Sequence, residues 1–177
     1  MLSYNVADLL RSPPGTSERF EFAVAALRIT DDLELARPVR GEVRLTHSGR
    51  SILVQGHFDT ALAERCSRCL RPAEAPLSVD LDEEALPSVD LDSGVPLGVS
   101  EEPGLLRVDD HHELDLEPAI RDAVSLAEPI APLCRPDCPG LCETCGLDLT
   151  SNLGHAHPDD DIDPRLAALA GIRERLR

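Results

Sequence analysis

Residues 38–69 read Pro38-Val-Arg-Gly-Glu-Val-Arg-Leu-Thr-His47-Ser-Gly-Arg50-Ser-Ile-Leu-Val-Gln-Gly-His-Phe-Asp-Thr-Ala-Leu-Ala-Glu-Arg65-Cys66-Ser-Arg-Cys69. Val39, Val43 and Leu45 sit among polar residues before the turn signal His47-Ser48-Gly49-Arg50. Ile52, Val54, Phe58 and Leu62 recur after it. Mostly even spacing predicts two strands joined by a tight turn, with an irregularity near 55–58. The second strand runs straight into a Cys-x-x-Cys pair, so whatever those thiols bind is attached to the end of a sheet.

Working outward, residues 20–29 and 75–81 suggest further strands, and Leu105 to Val108 a short one. Residues 1–18, broken by Pro13, Pro14 and Gly15, read as a flexible N-terminal arm. Residues 72–116 hold 13 acids and one Arg, which suggests an acidic loop over 82–113. Leu116, Ile120, Val124 and Ala127 share one helical face, predicting a helix over 116–127 with Asp115 as N-cap and Pro129 beyond its end. A second helix is expected over 164–176, with Asp163 as cap and Pro164 at its first position. The expected organisation is an arm (1–18) and one domain (19–177), made of a sheet (20–81), the acidic loop, the helix, a cysteine cluster (134–145) and the terminal helix. The expected fold class is α+β: an antiparallel β-sheet with a packed helix and a zinc-stapled C-terminal knuckle segment.

Composition narrows the function. With 42% hydrophobic residues among 177, the chain can bury a core, but that core has no Trp, one Tyr and three Phe. Few large packing anchors make a stabilising metal useful. Residues 1–71 carry 10 Arg against 9 acids, a net of +1; residues 72–177 carry 7 Arg against 24 acids, a net of −17. All 17 basic residues are Arg. So acidic a chain repels phosphate backbones, and any RNA contact is expected from its N-terminal part. No stretch approaches the ~20 apolar residues of a membrane span, and no signal-peptide pattern opens the chain. A cytoplasmic location is the default expectation, where six thiols favour metal binding over disulfides.

The ligand candidates are Cys66, Cys69, Cys134, Cys138, Cys142 and Cys145, the last followed by Gly146. In Cys-x-x-Cys a tight knuckle turn aims both sulfurs at one point, and its backbone N–H groups can hydrogen-bond them. Zinc takes four ligands in a tetrahedron. Spacing leaves three groupings open: Cys66 and Cys69 with Cys142 and Cys145; Cys66 and Cys69 with Cys134 and Cys138; or the four later cysteines alone. His155 and His157 bring the donors to eight, enough for two sites. Arg65, Arg68 and Arg71 flank the first knuckle, where they could neutralise thiolates or offer a small basic patch to phosphate. Catalytic patterns are lacking. His111-His112-Glu113 reads as solvated loop, and no Gly-rich phosphate loop or Gly-x-Ser-x-Gly is present. The expectation is therefore no enzyme.

Cys66-Ser-Arg-Cys69-Leu70, Leu114-Asp115-Leu116-Glu117-Pro118, Cys134-Arg-Pro-Asp-Cys138-Pro-Gly-Leu-Cys142-Glu-Thr-Cys145-Gly-Leu-Asp-Leu149 and Asp163-Pro164-Arg165-Leu166-Ala-Ala-Leu169 together resemble the YceD family of large ribosomal RNA subunit accumulation proteins. The resemblance spans roughly 38–170. It implies a role in 23S rRNA synthesis, processing or stability, and so in ribosome assembly, without known catalysis. It implies ribosome-assembly or large-subunit ribosomal proteins as partners; the basic residues themselves, Arg65, Arg68 and Arg71, suggest an indirect or weak rRNA contact. The chain departs from the family pattern where His155 and His157 replace a further Cys pair. Other readings of the same cysteines are a zinc-ribbon adaptor contacting transcription machinery and a thiol redox switch.

Overall fold

A computed structural model describes residues 2–25, 27–98 and 105–157. They form β1 (Ser3–Asn5), α1 (Ala7–Arg11), β2 (Ser17–Val24), β3 (Leu35–His47), β4 (Ile52–Arg65), β5 (Pro72–Pro87), β6 (Leu106–Val108), β7 (Glu113–Asp115) and α2 (Glu117–Leu126). The described residues are thus mostly β-sheet with two short helices. The expected helix over 164–176 lies outside them.

One seven-stranded sheet runs in the order β1-β7-β6-β5-β4-β3-β2. Its middle strand is β5, and the β3–β4 hairpin lies between β5 and the β2 edge. His47 faces Ile52, Leu45 faces Val54, and Gly41 faces Phe58 across the ladder. β4 continues into β5 with Phe58 opposite Val79 and Leu62 opposite Ala75. Alternate residues point to one side, so Val39, Val43, Leu45, Ile52, Val54, Phe58 and Leu62 are all buried. Burial of each such side chain stabilises by about 1.5–3 kcal/mol. The irregularity expected near 55–58 is not seen: Gly56 takes the inward position there and the ladder stays in register, its shifts falling between Leu35, Arg37 and Arg40 of β3. A Cβ on Gly41 would lie 2.1 Å from the His57 carbonyl oxygen and 2.5 Å from Phe58 Cβ, so only glycine lets β3 pass there.

The sheet curls. β1 and β2 are its opposite edges, yet the Tyr4 and Phe20 ring centroids are only 4.7 Å apart. Curling encloses the core on one side. Leu116, Ile120 and Val124 join the same apolar cluster as the strand residues. Pro118 is accommodated in the first turn of α2, where its missing N–H costs nothing. The helix begins one residue later than the Asp115 cap predicts: Leu116 is the N-cap, while Asp115 Oδ1 accepts from the Glu117 amide at 2.9 Å.

Three expectations need correction. The N-terminal residues are not a loose arm. β1 pairs with β7, and Leu2, Val6 and Leu9 are buried. Their apolar spacing is too short to show a period, and their partners lie about 110 residues away. The stretch 82–113 is not all loop: β5 runs to Pro87, and β6 and part of β7 follow. Acidic residues on the outward positions of a strand stay solvated while Leu81 and Ala85 are buried. The sheet is also not wholly antiparallel, because β5 and β6 pair in parallel, Ala85 to Leu106 through Pro87 to Val108.

Candidate metal centre

β4 ends at Arg65 and β5 starts at Pro72, so the first cysteine knuckle is itself the turn between them. Inside that turn the Leu70 amide donates to the Cys66 carbonyl (2.9 Å) and the Cys66 amide to the Arg71 carbonyl (2.9 Å). The turn requires positive φ at the residue after the second cysteine, and Leu70 adopts 59°.

The chain returns to this turn after α2. The Ser67 amide and hydroxyl both donate to the Pro132 carbonyl, at 2.8 and 3.1 Å. The Arg68 guanidinium donates to the Cys138 carbonyl at 2.9 Å. Gly140, at φ 77°, passes so close that a Cβ would lie 3.1 Å from the Arg68 carbonyl oxygen. These contacts deliver two more sulfurs. Cys66 Sγ lies 3.7 Å from Cys138 Sγ, and Cys69 Sγ lies 3.8 Å from Cys134 Sγ. All four sulfurs fall within 4.8 Å of one another. A tetrahedral zinc with bonds of about 2.3 Å has edges of about 3.8 Å. The spacing is far longer than a disulfide bond of about 2.05 Å, and all six cysteines are free thiols.

The electrostatics split the four thiols. Hydrogen bonds from the Cys134 and Cys69 amides, reinforced by that of Arg68, hold the Cys66 thiol down at about 6. The Arg71 amide and guanidinium lower Cys69. Cys134 is exposed as a residue, but its sulfur faces the other three; desolvation and those neighbouring thiols push it up to about 12. Desolvation raises Cys138. Four sulfurs this close cannot all carry charge against one another, whereas a central dication would stabilise every thiolate. The donor chemistry fits such an ion.

Of the three groupings left open by spacing, the fold brings Cys66 and Cys69 to Cys134 and Cys138. Cys142 and Cys145 do not join them. They form a second group with His155 and His157, again with donor atoms within 4.8 Å. The second knuckle repeats the first: the Gly146 amide donates to the Cys142 carbonyl and the Cys142 amide to the Leu147 carbonyl, both at 2.8 Å. Amides of Cys145 and Thr144 hold the Cys142 thiol at about 6.

Sequence reasoning passed over what joins the two knuckles. Arg71, which hydrogen-bonds the Cys69 sulfur, also donates to Thr150 Oγ1 at 2.6 Å and approaches Asp148 at 3.7 Å. The Leu149 amide donates to the Gly140 carbonyl at 3.1 Å. Asp148-x-Thr150 is a visible Asx-type signal, since Asp148 Oδ1 accepts from the Thr150 amide at 2.8 Å. Its partner Arg71, 79 positions away, is not readable from sequence. Arg65 is exposed, at the end of β4. His111-His112-Glu113 forms the turn into β7, where Asp109 Oδ1 accepts from the His111 and Glu113 amides at 2.9 and 2.7 Å.

Fold and site together define a mostly-β domain whose cysteine knuckles gather its C-terminal segment. The family described as large ribosomal RNA subunit accumulation protein YceD matches residues 54–173. The chain belongs to that family, whose description names accumulation of large-subunit ribosomal RNA. Uncharacterized proteins of Mycobacterium bovis and Mycobacterium tuberculosis are each similar to it at 36% identity over 174 residues, covering 95% of this chain and 79% of theirs. One of Mycobacterium leprae is 35% identical over 141 residues, 79% of this chain and 61% of its own length. No solved structure matches. Among the described residues no helix is long and apolar enough to cross a membrane.

Proposed function

We propose that this chain is a non-enzymatic factor in 23S rRNA accumulation and large-subunit assembly, in which zinc on Cys66, Cys69, Cys134 and Cys138 staples the C-terminal segment to the sheet. The carrying observation is that sulfurs from distant parts of the chain converge at tetrahedral spacing within a member of this family. Zinc there supplies folding energy and no reactive position, because four thiolates fill its coordination.

The working surface is read as one for proteins. A cleft of about 810 Å³ lies between α2 and the β5–β6 side of the sheet. Among the described residues, Asp80, Asp82, Glu83, Asp115 and Asp122 line it against a single cation, Arg107, beside the largely exposed Leu126. Such a cleft repels phosphate and suits a basic protein segment. At the first knuckle, Arg68 and Arg71 are engaged internally, which leaves Arg65 as the clearest candidate for weak rRNA contact.

Deleting the gene is expected to lower 23S rRNA and deplete large subunits in gradient profiles. Complementation with Cys66→Ser should fail and with Arg65→Ala should succeed. Normal 23S rRNA and normal profiles in the deletion strain would overturn the reading.

A further inference from the structure

We propose that Cys142, Cys145, His155 and His157 form a second, solvent-open zinc site that exchanges its metal while the first site stays filled. This rests on the first group being a zinc site only for the comparison; the second site stands on its own geometry. Cys145 Sγ lies 3.2 Å from His155 Nε2, and His155 Nε2 lies 2.9 Å from His157 Nε2. The two imidazoles meet edge to face at 87°, and the four donor atoms lie within 4.8 Å of one another. A zinc with two nitrogen ligands has an N···N edge of about 3.3 Å, so the donors need open by only a few tenths of an ångström to admit one.

The chemistry selects a borderline-soft dication. Two thiolates and two neutral imidazoles suit zinc and disfavour magnesium or calcium, which prefer oxygen. Two thiolates cancel the dication, so the filled site is neutral, whereas the four-thiolate site carries a net −2. The Arg71 guanidinium sits on the sulfur of the charged site, where it is needed, with Asp148 and Thr150 of the second segment as its other partners.

Exchange follows from exposure. In the first group Cys66, Cys69 and Cys138 are buried and only Cys134 is exposed, and the donors come from segments 65 and 72 residues apart. Releasing that metal requires the sheet turn and the C-terminal segment to separate. In the second group Cys145 and His157 are exposed, Cys142 and His155 are half-buried, and every donor lies within 142–157. A chelator can approach it without any unfolding of the sheet.

The test uses full-length protein purified with zinc, elemental analysis, and release of zinc to a chromophoric chelator. Two zinc ions per chain are expected, one released at least roughly tenfold faster than the other. His155→Ala/His157→Ala should keep one slowly released ion and an unchanged far-ultraviolet dichroism spectrum. Cys66→Ser/Cys69→Ser should keep only the fast ion. Cobalt substitution gives an independent reading, since the ion lost from the histidine variant should have the weaker thiolate charge-transfer absorption. One zinc per chain, unaffected by the histidine replacements, would overturn the second site and leave the staple standing. One zinc that disappears with His155 and His157 but survives loss of Cys66 and Cys69 would overturn the staple alone. Two ions released at equal rates would overturn the exchange claim, and no bound zinc would overturn both sites.

Discussion

The two knuckles have the same backbone and different surroundings. Each closes with an amide from the residue after its second cysteine, and that residue has positive φ, Leu70 at 59° and Gly146 at 71°. Around the first, two sheet strands leave in antiparallel register, and the partner sulfurs arrive from beyond α2. Around the second, the partners are two histidines ten and more residues downstream on a local loop. A turn motif therefore sets how a metal is gripped. The reach of the chain between the ligands sets whether the grip holds a fold together or only a loop.

The largest effect should come from emptying the first site. Its ligands close a separation of 65 residues between Cys69 and Cys134. By the loop-entropy argument used for disulfides, such a closure stabilises by about 4 kcal/mol, on the order of 10 °C in Tm for a chain of this size. Calorimetry of Cys66→Ser against Cys142→Ser would break the comparison if the two lost equal stability. By the same argument the second variant should lose about 2.7 kcal/mol, because Cys145 and His155 close a separation of only 10 residues.

Next is the packing between the knuckles. Gly140→Ala places a Cβ 3.1 Å from the Arg68 carbonyl oxygen at a positive φ, and should cost roughly 1–3 kcal/mol, read as a lowered urea midpoint at constant m. A smaller effect is expected from Arg71→Met. In metal-free protein the Arg71 guanidinium helps hold the Cys69 thiol below its ordinary value. Removing it should raise that pKa, leave less thiolate near neutral pH, and slow alkylation of Cys69; unchanged alkylation would show that the amides alone set it. The smallest effect is Leu70→Gly, which relieves a strained φ on an exposed side chain and should shift stability upward by at most ~1 kcal/mol. Gly146→Leu should move the second knuckle the opposite way, and a stability gain there would refute the equivalence of the two turns.

What could be read without coordinates was what neighbours in sequence decide. Alternating Val39, Val43, Leu45, Ile52, Val54 and Phe58 identify the hairpin because side chains in a strand point to opposite faces in turn. Leu116, Ile120 and Val124 identify α2 because helical residues four apart share a face. Cys-x-x-Cys followed by Gly146 identifies a knuckle because its hydrogen bonds close within six residues. Which four thiols share a point, that Leu2, Val6 and Leu9 complete the core, and that Arg71 holds Asp148 and Thr150 were fixed only by the tertiary structure. Each depends on pairings across 65 to more than 100 residues, and local propensity carries no information about which distant edge a curled sheet brings back.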